Sequence, residues 1–170
     1  MSQKRQFNSA INYQIKASKL YQTHKLWRHY IKVENKWGNI LRRTGQYDSA
    51  IEKFENAIQT AKLHFLEQSP EAARSYYNSG LVYYYLGKYH QALEEYNKAL
   101  NIRITYFGEQ HPYVAQTYND IGVLYKTLGK YHQALEHHKK ALKIRIAHFG
   151  KQHQDVACLL YTSPSPRDRG

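Results

Sequence analysis

Cysteine is almost missing from this chain of 170 residues. Cys158 stands alone, so no internal disulfide framework can form, and a reducing, cytoplasmic setting is the default expectation. Long apolar runs are missing too: none approaches the roughly 18 residues that a membrane span needs, and the mean hydropathy is -0.78. Lys4 and Arg5 are followed by Asn8, Asn12 and Gln14 where a signal peptide would place an apolar segment. The sequence holds no glycine-rich phosphate loop and no nucleophile elbow. Its ten histidines do not gather around Cys or carboxylates. His90 and His132, like His111 and His153, recur only because a longer stretch recurs, and His137-His138 lacks further ligands for a dedicated metal site. Glu94 and Glu136 occupy one position of successive copies, which does not set two carboxylates across a cleft. The chain is therefore expected to be no enzyme, with no catalytic residue, cofactor or metal.

Acidic residues are scarce at one end. Residues 1–46 carry ten Lys or Arg against one acid, Glu34, whereas residues 47–170 carry fifteen against twelve. Most of the net charge of +12 thus belongs to the first quarter, a field that favours an acidic protein surface, nucleic acid or anionic lipid.

What the chain has is repetition. Gly87-Lys88-Tyr89-His90-Gln91-Ala92-Leu93-Glu94 returns as Gly129 through Glu136, a spacing of 42, and residues 73–114 agree with 115–156 at 24 of 42 positions without a gap. Such a period marks an array built from one supersecondary unit. In each copy a first helix carries an aromatic and a mid-helix glycine: Tyr76, Gly80 and Tyr83, with Gly38 and Gly122 as counterparts. Glycine costs about 1 kcal/mol in a helix interior relative to Ala, so its recurrence predicts a close helix contact. Gly45, Gly87 and Gly129 follow the first helix, where a positive φ ends it. The second helix presents Ala50, Phe54 and Ala57, then Ala92, Tyr96 and Ala99, then Ala134, His138 and Ala141. Alanines flanking a ring predict tight antiparallel packing, and His138 predicts a softer seam in the third copy. Gly108 can end the second helix, and Pro112, like Pro70, suits the first turn of the next. The third copy has His153-Gln154 there, with Asp155 near the start of a following helix.

The expected organisation is a capping helix or degenerate half-repeat over residues 1–30, repeat units over 31–72, 73–114 and 115–156, and a non-repeat tail over 157–170. Phe7, Ala10, Ile11 and Ala17 weakly match the second-helix pattern. Thr23 to Arg43 reads as one long helical region with Leu26, Tyr30, Val33 and Trp37 in a stripe, and Trp27 beside it awaiting a cover. Pro164 falls where the period requires glycine, which breaks the array. The string from Cys158 to Asp168 resembles translated sequencing-adapter read-through. On that reading Cys158 has no function and the native protein continues through further repeats. A genuine tail would offer Ser163 and Ser165 before prolines as phosphorylation sites.

These motifs resemble the tetratricopeptide repeat (TPR) family. The 42-residue form, carried by Tyr76 through Pro112 and Tyr118 through His153, is similar to kinesin light chain and nephrocystin-3-like repeats. The resemblance implies an all-α solenoid of antiparallel helix pairs forming a right-handed superhelix, whose first helices line a concave peptide-binding groove. Carried onto this sequence, that face takes Lys32, Asn35, Lys36, Asn39, Arg42 and Arg43 from the first unit. The second gives Arg74, Tyr77, Asn78, Leu81, Tyr84 and Tyr85, and the third Gln116, Asn119, Asp120, Val123, Lys126 and Thr127. Asparagines offer a peptide backbone both donors and an acceptor, Arg42 and Arg43 suit acidic side chains, and the tyrosines supply amphipathic contact area. The expected function is a protein-interaction adaptor with a protein or peptide partner, an acidic one being favoured. Cytoskeletal association and cargo recognition are what the kinesin light chain likeness implies. That family's N-terminal heptad segment does not occur here, which leaves a motor heavy chain unsupported as partner. Two alternatives stay open: a scaffold using the outer faces, and nucleic-acid binding by the basic block from Lys16 to Arg43 with Tyr21, Trp27, Tyr30 and Trp37 interleaved. No membrane partner is expected.

Overall fold

A computed structural model describes residues 2–23 and 26–149 of the chain. Among the described residues every regular element is a helix: α1 Ser2–Thr23, α2 Trp27–Arg43, α3 Tyr47–Leu63, α4 Pro70–Tyr85, α5 Tyr89–Phe107, α6 Pro112–Thr127 and α7 Tyr131–Phe149. The expectations for Cys158, Asp155, the His153-Gln154 junction, the tail and the Phe7 side chain lie outside what is described. The chain divides into two compact units, Met1–Ile102 and Arg103–Gly170, with the boundary inside α5. In the first unit α1 and α3 pack on α2, and α4 packs on both α2 and α3; in the second α6 packs on α7.

Two kinds of glycine build these helix pairs. Gly45, Gly87 and Gly129 have φ of 77°, 71° and 72°, and a Cβ on any of them would meet nothing within 4 Å. They are needed for backbone conformation. After α4, Gly87 N–H donates to Tyr84 O at 3.0 Å and Lys88 N–H to Tyr83 O at 2.9 Å, and the turns after α2 and α6 repeat the pattern. This double closure satisfies the last carbonyls of the helix and reverses the chain. Gly38, Gly80 and Gly122 are needed for space: a Cβ there would sit 2.5 Å from Phe54, 2.7 Å from Tyr96 and 2.8 Å from His138. The ring of the second helix thus lies in a notch of the first, and the flanking alanines predicted with it are all buried. His138 keeps that seat in the third repeat, 9% exposed, with its Nδ1 lacking a partner.

Helix starts follow the sequence signals. Ser69 Oγ accepts from Ala72 N–H at 3.2 Å ahead of Pro70, and His111 Nδ1 accepts from Tyr113 N–H at 3.1 Å ahead of Pro112. Gly108 ends α5 with φ 85°, whereas Phe65 takes φ 56° just past the shorter α3 and is 95% exposed.

The region from Thr23 to Arg43 is not one helix. α1 ends at Thr23 and α2 begins at Trp27, and Ser18 Oγ of α1 donates to Glu34 Oε1 of α2 at 2.9 Å. Sixteen residues of continuous helix would hold those groups about 24 Å apart. Leu26 consequently precedes α2 as an exposed residue instead of joining the buried stripe. Trp27 finds its cover within the chain, stacked on His64 at 3.9 Å between ring centroids. Ile11 of α1 packs on the cluster of Leu41, Ala50, Phe54 and Val82.

Glu34 itself is buried between α1, α2 and α3, with Lys53 Nζ 3.9 Å away and lying over the Trp37 ring. Burial pushes its carboxyl above the ordinary range, against the Ser18 bond and the Lys53 charge. The folded state therefore holds this proton more tightly than the unfolded chain, and its stabilising contribution fades as pH rises.

Gly80→Ala should cost about 1–3 kcal/mol by overpacking, more than the roughly 1 kcal/mol of helix propensity it gains. In urea denaturation its effect should be strongly non-additive with Tyr96→Leu, whereas Gly87→Ala, strained through φ alone, should add independently. Glu34→Gln should raise the melting temperature at pH 7.5, with the gain shrinking toward pH 4; a gain that is constant with pH would refute the buried-charge account.

Candidate peptide-binding face

The first helix of each pair is amphipathic, and the notch glycine fixes which side faces its partner. In α2, Lys32, Lys36, Asn39 and Arg43 follow one another at spacings of four and three, so they share a face. Lys32, Lys36 and Arg43 are exposed and Asn39 is half-buried. The α4 counterparts are Arg74, exposed, Asn78, buried, Leu81, half-buried, and Tyr85, 55% exposed.

The expected residues separate into two groups. Asn35 is 1% exposed, and its Nδ2 donates to Glu71 O at 3.0 Å, tying α2 to α4. Tyr77, 8% exposed, packs its ring against Tyr96 at 5.7 Å. Asn78 is 6% exposed, with Nδ2 enclosed and unbonded. These three serve the interior of the first unit. On the accessible side, Asn39 Oδ1 accepts from Arg42 Nε at 3.3 Å. Tyr85 stacks on Tyr47 at 6.0 Å and meets the edge of Tyr84, which in turn lies 5.8 Å from Tyr89. The turn from α4 to α5 is therefore lined with rings, with Tyr47 of α3 beside it.

In the second unit α6 presents Gln116, Asn119 and Asp120 half-buried and Val123, Lys126 and Thr127 exposed. Asn119 Nδ2 donates to Asp120 Oδ1 at 3.4 Å, and Thr127 Oγ1 to Val123 O at 3.0 Å. Asn119 is thus accessible where its counterparts Asn35 and Tyr77 are enclosed.

Electrostatics mark the first unit. Glu71 is held by Lys32 Nζ at 3.3 Å and Arg28 Nε at 3.8 Å, while among the described residues Lys36, Arg43 and Arg74 have no carboxylate partner. Glu71 was not legible as part of this face. Its one signal, an acid in the first turn of a helix, is lost in the repeat, where Tyr113 stands at the same position. The aromatics of the basic block are engaged inside the first unit: Tyr30 is buried, Trp27 stacks on His64, Trp37 lies under Lys53 and Tyr21 against His29. Among the described residues no three His, Cys, Asp or Glu side chains gather to hold a metal, and no helix is long and apolar enough to cross a membrane.

Comparison with known proteins gives one family. The tetratricopeptide repeat family model matches residues 30–105 and 71–147. No curated protein sequence matches significantly. Among solved structures, BtubC (BKLC) from P. vanneervenii superposes with a TM-score of 0.74 at 22% identity, over 95% of this chain and 81% of that one. A putative kinesin light chain of nearly identical TPR-like repeats from Podosopora anserina gives 0.74 at 14%, over 92% and 75%. The Rap conjugation gene regulator of plasmid pLS20, solved in complex with the Phr* peptide, gives 0.74 at 23%, over 96% of this chain and 45% of the regulator. At these identities the likeness is one of fold.

Removing the Asn35 amide should act on stability before binding. Asn35→Ala is expected to lower the free energy of unfolding by about 0.5–1.5 kcal/mol, because it deletes the bond to Glu71 O while that carbonyl keeps Ser75 Oγ as a donor. Chemical denaturation measures this, and an unchanged midpoint would return Asn35 to the accessible face.

Proposed function

This chain belongs to the tetratricopeptide repeat family, and from that premise we propose that it is an adaptor that captures an acidic peptide segment of another protein. The observation that carries this reading is the set of unpaired cations on the first unit, Lys36 and Arg43 on α2 and Arg74 on α4, beside Asn39, Leu81 and Tyr85. No carboxylate sits among those six positions. Arg43 and Arg74 can each grip a carboxylate through two parallel bonds, and Tyr85 adds apolar area with a polar rim. Asn39 can hold the peptide backbone through the donors that Arg42 leaves open. Asn119 and Lys126 of α6 offer an amide and a cation on the second unit, but beside the carboxylate of Asp120, which accepts from Asn119 Nδ2. Such a role needs no catalytic group and no cofactor.

The kinesin light chain-like repeat form supports a cytoplasmic, cytoskeleton-associated setting and cargo recognition. The Rap regulator, whose structure contains a peptide, supports peptide capture by this kind of fold.

Peptides selected by display on the full chain should be rich in Asp and Glu. By fluorescence anisotropy, Lys36→Glu, Arg43→Glu and Arg74→Glu should each weaken binding of a selected peptide about tenfold, or 1.4 kcal/mol. Selection of uncharged peptides, or affinity unmoved by all three reversals, would remove the reading.

A further inference from the structure

The two units hold a first helix in place by the same two devices, made from different side chains. In the first unit α4 begins at Ser69, whose Oγ accepts from Ala72 N–H, and its Gly80 notch receives the Tyr96 ring. In the second unit α6 begins at His111, whose Nδ1 accepts from Tyr113 N–H at 3.1 Å, and its Gly122 notch receives the His138 ring. The start of α6 and its mid-helix notch are thus both secured by imidazoles.

Each works only while neutral. A ring nitrogen that accepts an N–H bond must carry a lone pair, which protonation removes. His138 lies enclosed, with its Nδ1 unbonded and 3.0 Å from where a Gly122 Cβ would be, so a proton added there buries a charge without a partner. The groups facing the two rings add to this cost. Lys126 of α6 and His137 and Arg145 of α7 act on His138. Arg103 of α5 and His148 of α7 act on His111, whose ring stacks on Phe107 and lies beside Tyr113. All of these charged or titrating groups are cationic or become so on acidification.

We infer that the α6–α7 pair is an acid-released element: as pH falls below neutrality α6 loses its N-terminal cap and its seat on α7 together, while the helix pairs of the first unit stay closed. Burial first, then the neighbouring cations, hold both imidazoles below their ordinary value of 6.5. The open form binds protons near that value and the closed form resists them. The stabilisation is complete above about 6.5 and is lost as pH falls toward the lowered values. In the first unit the same positions are Ser69, Phe54 and Tyr96, which take up no proton in this range, and buried Glu34 acts in the opposite sense. The inference does not rest on the peptide-binding reading.

Hydrogen exchange of the full chain at pH 7.5 and 5.5, corrected for intrinsic amide chemistry, tests it. Protection in α6 and α7 should fall about tenfold or more at the lower pH, with no loss in α2 to α4. The double variant His111→Ser/His138→Tyr, which installs the side chains of the first unit, should abolish the difference, and each single variant should remove part of it. Should the variants fail to fold, NMR titration of the wild-type chain should place both imidazoles below 6.5. Equal loss in both units, a difference that persists in the double variant, or either histidine titrating at or above 6.5 would overturn the inference.

Discussion

The closeness of the two helices within each pair is the constraint from which the rest follows. At Gly38, Gly80 and Gly122 the backbone of one helix meets an aromatic or imidazole ring of the next, with no room for a methyl group. Rings and the alanines around them bury apolar area at about 25 cal/mol per Å², and contact this tight fixes the rotation of both helices. Once that rotation is set, Lys32, Lys36 and Arg43 of the α2 row stay exposed, as do Arg74 and Tyr85 of the α4 row, while Asn78 between them is buried.

Contacts between successive pairs are built less uniformly. In the first unit Ile31, Ala57, Ala61 and Ala72 pack together as an apolar cluster. In the second unit the counterpart of Ala61 is Arg103, whose Nη1 donates to Tyr113 O at 2.9 Å and to Thr117 Oγ1 at 2.7 Å. One position of the repeat therefore joins neighbours by apolar contact in one copy and by charge-assisted bonds in another. Glu34 with Ser18, and Asn35 with Glu71, are further polar links at positions the repeat does not reproduce. Buried polar pairs add little net stability, but an unmatched partner is costly, so they oppose misregistered packing.

The repeat made the helix pairs, both glycine roles and the alanine–ring–alanine faces legible, because each device recurs at one spacing and has one physical cause. Links that occur once left no pattern to read. Ser18 and Glu34 are sixteen residues apart, on segments that read as separate helices, and nothing local announces that their side chains meet. Asn35, Tyr77 and Asn78 share a helix face with exposed neighbours, yet helical spacing resolves direction only to within about 100° per residue. That is too coarse to separate the rim of a face from its packed edge.

The amino-acid sequence by itself determined the unit: its length, its two helices, the turns that need positive φ and the notches that need glycine, since these are local or periodic requirements. Tertiary structure decided which polar side chains are spent inside and which stay outside. Asn35 is consumed by a carbonyl of α4, whereas Lys36 beside it remains unpaired. That outcome depends on which groups folding brings within hydrogen-bonding reach, and distance through space is not a property of any single stretch of chain.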